Sequence, residues 1–577
     1  MITMKKVIDL LLVNSFAPRQ RIASDAALEN GLALIRTFLQ SKGFTVTVID
    51  EQRLSGAEQG VPKWCFHFLR LLVILQMKYY TSLKHLTLLF LLLAWPFQSL
   101  AIYRRKKYMD KLGDEIAQYV YTNSIPMVGI KIWYGDAYAW SIQLAKKIKR
   151  QNPDTIIVAG GPQVKVYGAK VLDEEIFDLA IMGPGEYILE KLLNMLSSTA
   201  TKLAFLDKVH NQITRDRLIS TGSYSQHGSY MFDNFIIPKY NEEDLKDKIL
   251  FHTLVDGVGC SWNKCNFCSH SRQNVTHIPR PVEEIYAEIQ TMTKQGIAFF
   301  RFSSSETPLS HGKAIAHTLM ANNAHIHYSM FVRAGKVTEE IFDIYCLLIK
   351  SGLRAVFMGG ETGHDVINEK VMNKGVTRKD IIETIQCIKL AAAKVAQPCK
   401  IGLSLIYPTP IVGPITFQDV FQANITMIEQ TLPDTVIINP PGVFPGTIWS
   451  EQAEHFGFKI AEGFNTQLMS YEYSIFKPVN FWTKLNFSLH GYDMESLLHE
   501  SGKFRQAVEG MGIPTNVSDE YLMMLTAIGH GSKTDLLIFK KHSLIDIMSG
   551  SSHYIKQIVE KINTYSRKMA AQNHTVN

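Results

Sequence analysis

A chain of 577 residues has room for three or four domains at about 150 residues each, and with 46% apolar and 20% charged residues it can bury large cores. Sixty Lys and Arg against 53 Asp and Glu leave a net charge of +7, too little to indicate a nucleic-acid partner, and the excess is local: residues 62–107 hold eight Lys and Arg and no acid. Seven cysteines in this length exclude a disulfide scaffold.

In chain order, the apolar run 7–13 is interrupted by Asp9 and followed by no small-residue cleavage site, so it predicts a first strand and not a signal peptide. A helix over 26–42, a strand over 45–49, then strands over 126–132, 155–159 and 179–182 with a helix over 138–150 predict an α/β domain spanning 1–200, built on a doubly wound, Rossmann-like parallel sheet. Such a sheet binds ligands beyond the carboxyl ends of its strands. Two turns there are glycine-rich, Gly160-Gly161-Pro162 and Gly183-Pro184-Gly185-Glu186. Glycine admits a bulky ligand close to the backbone or simply permits a tight turn, and spacing does not separate the two.

The gap between the strands at 49 and 126 is far longer than one crossover helix needs, and predicts an insertion at 55–108. It contains apolar runs at 64–77 and 85–103 and then Arg104-Arg105-Lys106-Lys107. Both ends must return to one sheet, which excludes a single crossing. The pattern predicts a helical hairpin lying in one membrane leaflet through 62–107, its basic residues on anionic headgroups, with the protein cytoplasmic and peripheral on the inner face. An apolar cap over the protein's own barrel, or a dimer contact, is the competing reading.

Residues 201–245 read as a linker. From 246 to 448 six strand-then-helix units follow, with strands at 253–258, 298–303, 327–332, 354–358, 401–406 and 435–438, which predicts a partial (β/α)6 barrel. The region 449–577 is mixed and then mainly helical, with helices at 523–528, 536–547 and 554–565. Cys346 and Cys387 fall within apolar helical patterns, and they, with Cys65 and Cys399, are not expected to be ligands.

Cys260, Cys265 and Cys268 crowd into nine residues after the first barrel strand. Three thiolates can hold three irons of a four-iron cluster and leave the fourth open, whereas the same three with His270 would close a zinc site. The catalytic mouth of a barrel favours the cluster. Other strand ends carry Ser305 and Glu306, Arg333, and Gly360 and Glu361, an Arg and two Glu able to clamp a zwitterion by its carboxylate and its ammonium.

These residues resemble the cobalamin-binding radical S-adenosylmethionine enzymes over about residues 5–450. The resemblance rests on Gly259-Cys260-Ser261-Trp262-Asn263-Lys264-Cys265-Asn266-Phe267-Cys268, Gly360-Glu361-Thr362, Val371-Met372-Asn373-Lys374-Gly375-Val376-Thr377 and Pro445-Gly446-Thr447, and on the two glycine turns of the first domain. It implies a [4Fe-4S] cluster on Cys260, Cys265 and Cys268, S-adenosylmethionine against Ser305, Glu306, Arg333, Gly360 and Glu361, and cobalamin across Asn14, Lys131, Gly160, Gly161, Gly183, Gly185 and Glu186. It further implies an electron donor such as flavodoxin or ferredoxin, and methyl transfer to an unactivated carbon of a small-molecule, lipid or natural-product substrate. Some relatives use cobalamin for ring formation or rearrangement instead, and a zinc-stabilised binding protein is the reading from another class. The sequence departs from the family pattern in two places: four residues separate Cys260 from Cys265 where three are usual, and the turn after the first strand, Asn14-Ser15-Phe16-Ala17-Pro18-Arg19, lacks the cobalt-ligating His.

Overall fold

The computed structural model describes residues 8–17, 26–79, 84–221, 235–270, 276–471 and 483–573. Its first sheet comprises β1 (Leu10–Asn14), β2 (Val46–Ile49), β3 (Met127–Lys131), β4 (Ile156–Gly160), β5 (Leu179–Met182) and β6 (Leu218–Ser220) in the order β2-β1-β3-β4-β5-β6, all parallel. The two-residue period of a strand divides its side chains between two cores. Leu10, Leu12, Met127, Ile156 and Val158 pack under helices Asn30–Ser41 and Glu186–Ser197. Leu11, Val13, Val128, Ile130, Ile157 and Ala159 pack under helix Asp136–Gln151 and the carboxyl half of helix Lys84–Thr122. Strand order reverses between β1 and β3, so a crevice opens there, with Asn14 and Lys131 paired at its lip.

The segment read as a linker contributes helix Lys202–Gln212 and β6. Only Leu218 and Ile219 are apolar in that three-residue strand, too few for any alternation to show. The insertion does form two helices, Lys63–Tyr79 and Lys84–Thr122. The second does not stop at the basic cluster. It runs on to become the crossover helix between β2 and β3, burying Leu112, Ile116, Ala117 and Val120, so charge at 104–107 marks a change of surroundings and not an end. No helix among the described residues is long and apolar enough to cross a membrane.

The second sheet contains β7 (Phe251–Leu254), β10 (Phe299–Phe302), β11 (His327–Val332), β12 (Leu353–Glu361), β13 (Lys400–Ile406) and β14 (Thr435–Asn439), parallel and in the order β14-β13-β12-β11-β10-β7. A short antiparallel pair, β8 (Gly257–Val258) and β9 (Ile278–Pro279), brackets the cysteine loop. The first barrel strand therefore lies earlier than the expected 253–258: Asp256, fully buried, ends it, and Gly257 and Val258 turn away to pair with β9. Helices between the strands cover the convex face, where Phe300, Phe302, Tyr328, Met330, Val356 and Leu403 are buried.

The concave face is filled by the C-terminal region. Helix Asp519–Ala527 buries Tyr521, Leu522, Met523, Met524 and Leu525 against Phe251, Phe299, Ala355 and Phe357, with helices Lys533–Ser549 and His553–Gln572 behind it. The lower half of the partial barrel is thus plugged, and a cavity borders the carboxyl ends of its strands at Glu361, Ser404, Ile406 and Asn439. Ion pairs fasten the first domain to the start of the barrel, Lys248 to Asp50 at 2.7 Å, and to the segment just before it, Arg36 to Asp244 at 2.6 Å and Arg53 to Glu243 at 2.6 Å.

Candidate active site

The cysteine loop is held from three sides. Asn266 N–H donates to the Met372 carbonyl and its side-chain amide to the Val371 carbonyl, both at 3.0 Å, while Asn373 Nδ2 donates to the Lys264 carbonyl at 2.8 Å. The buried Trp449 donates its backbone N–H to the Asn266 carbonyl at 3.0 Å and its indole N–H to the Val371 carbonyl at 3.2 Å, and it packs against Phe267. Trp449 is positioned by Thr447, whose hydroxyl caps helix Ile448–Glu451. The sequence pieces 371–377 and 445–447, far apart in the chain, are therefore clamps on one loop. Gly375, at φ +64°, lies under the Trp262 ring, where a Cβ would sit 2.2 Å from a ring carbon. The extra loop residue is absorbed by a left-handed backbone at Asn263, φ 51°, a conformation Asn tolerates.

Cys260 Sγ donates to Glu306 Oε2 at 3.4 Å, and Ser261 Oγ donates to the same oxygen at 2.8 Å. Burial pushes the Cys265 thiol up to about 12 and raises Cys260 as well. Thiolates there need cations beside them. Among the described residues no three His, Cys, Asp or Glu side chains converge as ligands of one ion do, the three cysteines included. His270, the fourth ligand of the zinc reading, places Nδ1 2.8 Å from Ser305 Oγ.

Glu306, Arg333 and Glu361 stand at the carboxyl ends of three neighbouring strands, β10, β11 and β12. A register shift between Gly359 and Glu361 where β12 meets β13 leaves Glu361 at φ 58°, and its buried carboxylate accepts from Lys374 Nζ at 2.9 Å. Burial works against the charge on Lys374, but Glu361 and the Cys265 side chain outweigh it and hold the ammonium above its ordinary pKa. The Arg333 guanidinium lies 4.6 Å from the Trp262 ring and donates to the Lys374 carbonyl. Ser305 and Glu306 sit on a turn tied down by Asp256, whose carboxylate accepts from Ser304 N–H at 3.0 Å, Ser304 Oγ at 2.8 Å and Thr307 Oγ1 at 2.7 Å.

In the first domain, Asn14 Nδ2 donates to Asp50 at 2.9 Å and Lys131 pairs with Glu29, so both crevice side chains already have protein partners. Gly161 has φ +95°, and a Cβ on it would meet Lys131 at 2.8 Å; Gly160 beside it would project a Cβ into open space. Gly183 is also left-handed, at φ +114°, and Gly185 precedes helix Glu186–Ser197; the backbone N–H groups of Gly185 and Glu186 donate to the Glu186 carboxylate, although burial raises its pKa on balance. Gly161 is therefore demanded by the turn itself, and Gly160 is the one that borders free volume.

One cavity of about 600 Å³ joins these parts. The first domain lines it with Tyr134, Gln163 and Tyr167, the barrel with Phe267, Glu361, Ser404 and Asn439, and the C-terminal region with Phe464, Tyr471, Phe487 and Met494. Gln163 Nε2 is buried without a hydrogen-bond partner. Sequence reasoning missed four contributors: Gln163, Lys374 as the partner of Glu361, Asp256, and the Arg301–Asp519 pair at 2.9 Å that joins β10 to the plugging helix. Lys374 stood in a recognised motif and Gln163 just after the double glycine; position relative to those motifs was the available signal.

A B12-binding domain family model matches residues 104–193, beginning where the inserted hairpin gives way to the crossover helix. None of the curated proteins compared matches the sequence. Among solved structures, the chain is similar to the radical S-adenosylmethionine methyltransferase TsrM from Kitasatospora setae with cobalamin and a [4Fe-4S] cluster bound, at TM-score 0.60 and 14% identity over 92% of this chain and 98% of that one. The same enzyme with tryptophan substrate and the analogue aza-SAM bound gives 0.59 and 14% over 92% and 99%. The cobalamin-dependent S-adenosylmethionine radical enzyme OxsB with aqua-cobalamin and S-adenosylmethionine bound gives 0.54 and 13% over 99% and 80%. This chain thus contains a B12-binding domain and has the fold of the cobalamin-dependent radical S-adenosylmethionine enzymes.

Proposed function

We propose that the protein is a cobalamin-dependent radical S-adenosylmethionine enzyme that transfers a methyl group to an unactivated carbon of an apolar small molecule or lipid. The observation that carries this reading is the single cavity lined by the crevice side of the first domain, by Phe267 of the cysteine loop and Glu361 of the rim, and by a largely apolar C-terminal wall. Two cofactors that must exchange groups with one substrate carbon need such a shared chamber.

Cys260, Cys265 and Cys268 would hold three irons of a [4Fe-4S] cluster with the fourth open to S-adenosylmethionine. Glu361 would receive the cofactor's ammonium in competition with Lys374, Arg333 its carboxylate, and Ser305, Glu306 and Gly360 the adjoining surface. Cobalamin would lie across Asn14, Lys131, Gly160, Gly161, Gly183, Gly185 and Glu186. The free volume at Gly160 and the unpartnered Gln163 Nε2 fit it, since the corrin rim carries amide carbonyls that this N–H₂ can bond. Residues 1–200 carry only His67 and His85, both on the inserted hairpin, so the residues that would hold cobalamin in this domain include no histidine. When bound, these cofactors would supply the radical and the methyl group; the chain would orient them, and Phe444, Trp449, Phe464 and Phe487 give the chamber an apolar lining.

A one-electron donor such as flavodoxin or ferredoxin would serve the cluster. The test is mass analysis of extracts from cells with and without the protein. One product gained and a precursor lighter by one CH₂ accumulated in its absence is the expected result. A product of unchanged carbon count identifies ring formation or rearrangement and overturns the methyl-transfer part.

A further inference from the structure

The hairpin inserted between β2 and β3 leaves an apolar face that the described chain does not cover. Its helices run antiparallel, with Phe68 against Phe97 at one level and Tyr79 against Phe90 at another. Cys65, Phe66, Leu69 and Leu72 are buried with Ala94 and Ala101 on the inner side. That side is anchored to the C-terminal region by the Arg70–Asp546 ion pair and by Arg105, which donates to the Gly550 carbonyl at 2.8 Å. The outer sides are otherwise. Trp64, Phe68 and Leu71 of the first helix are 57%, 38% and 52% exposed, and Leu88, Leu92 and Trp95 of the second 57%, 56% and 67%. Each trio follows the i, i+4, i+7 spacing of one helix face.

Folded chains seldom leave so much large apolar surface in one place without an occupant. The charge around it says which. Lys63, Lys78, Arg104, Lys106 and Lys107 are exposed at the two ends of the hairpin, and no acid occurs from 62 to 107. Apolar faces rich in Trp between basic collars match the interface of an anionic bilayer, where indole rings sit at headgroup level and each Lys or Arg gains from the negative surface. The first helix, 17 residues or about 25 Å long, is too short to span the hydrocarbon core, and the anchored inner side keeps the hairpin flat against the protein. We propose that this hairpin docks the protein in the plane of an anionic membrane surface, immersing the Trp64 and Trp95 faces in the headgroup boundary. The proposal is independent of the chemistry assigned to the cavity.

The experiment is sedimentation of the full-length protein with vesicles of phosphatidylcholine, with and without phosphatidylglycerol. Binding to the anionic vesicles is expected, weakened only in part by high salt. Leu92→Glu with Trp95→Glu should lower it by about tenfold or more, because two buried apolar side chains are lost. Arg104→Glu with Lys106→Glu and Lys107→Glu should abolish the preference for anionic lipid. Both variants alter exposed positions, so circular dichroism and the melting temperature should be unchanged. Intact protein that stays in solution with both vesicle types overturns the proposal. So does a dimer, seen by light scattering, that the Leu92→Glu and Trp95→Glu changes dissociate, because the face is then a contact between copies of this chain.

Discussion

Glu361→Gln separates a role in cofactor binding from a role in folding. The carboxylate is 8% exposed, sits in a left-handed backbone position at the rim and has Lys374 Nζ 2.9 Å away. If it also receives the ammonium of S-adenosylmethionine, replacing it by a neutral amide removes a buried charge-assisted contact worth roughly 2–4 kcal/mol, which weakens binding about thirty- to several-hundredfold. The amide oxygen still accepts from Lys374, so the fold loses less, on the order of 1–2 kcal/mol and a few degrees of melting temperature. The cysteines are untouched and iron content should not change. Anaerobic calorimetric titration with S-adenosylmethionine, beside iron analysis and a thermal melt, reads all three quantities. An affinity equal to that of the unaltered protein would refute the assignment and leave Glu361 as the structural partner of Lys374 alone.

Replacing Cys260, Cys265 or Cys268 singly by Ala should abolish iron retention on anaerobic purification, whereas Cys346→Ala, Cys387→Ala and Cys399→Ala should keep it, since those three are buried in the barrel core. Gly160→Leu should prevent cobalamin binding, read by absorbance after gel filtration, with the fold intact, because its Cβ enters open space; Gly161→Leu should fail earlier, in folding, because its φ of +95° and the 2.8 Å approach of Lys131 leave no place for a side chain. Burial and then the neighbouring Asp519 push Glu520 up to about 7 from 4.5. A carboxyl raised in the folded state binds its proton more tightly there than in the unfolded chain, so its contribution is full below about pH 4.5 and lost as pH rises through about 7. Denaturant titrations should show Glu520→Gln gaining up to about 3 kcal/mol over the parent between these limits, and parallel pH profiles for the two proteins would contradict this.

What the sequence made legible followed from period and punctuation. Buried parallel strands such as Leu10–Asn14 and Ile156–Gly160 are apolar runs up to their last residue, and the glycine turns and cysteine loop follow the carboxyl ends of strands of this kind. Other features depend on contacts between distant residues. β6 is too short to have a pattern, and β7 ends early because Asp256 is drawn inward to Ser304 and Thr307. Helix Asp519–Ala527 is buried on nearly every side, so it shows no amphipathic stripe, and its acids look like a solvated first turn until Arg301 and Ser329 are seen to bind Asp519 at 2.9 and 2.8 Å. Similarly, Lys374 and Glu361 are thirteen positions apart, and only the fold brings them together.

The most direct test of the account is metal and cofactor analysis of the anaerobically purified protein combined with electron paramagnetic resonance of its reduced form. The account predicts iron and sulfide in the proportion of one four-iron cluster per chain, bound cobalamin, and a cluster signal that changes when S-adenosylmethionine is added, as an open iron requires. Stoichiometric zinc with no iron, or a cluster signal indifferent to S-adenosylmethionine, would contradict it.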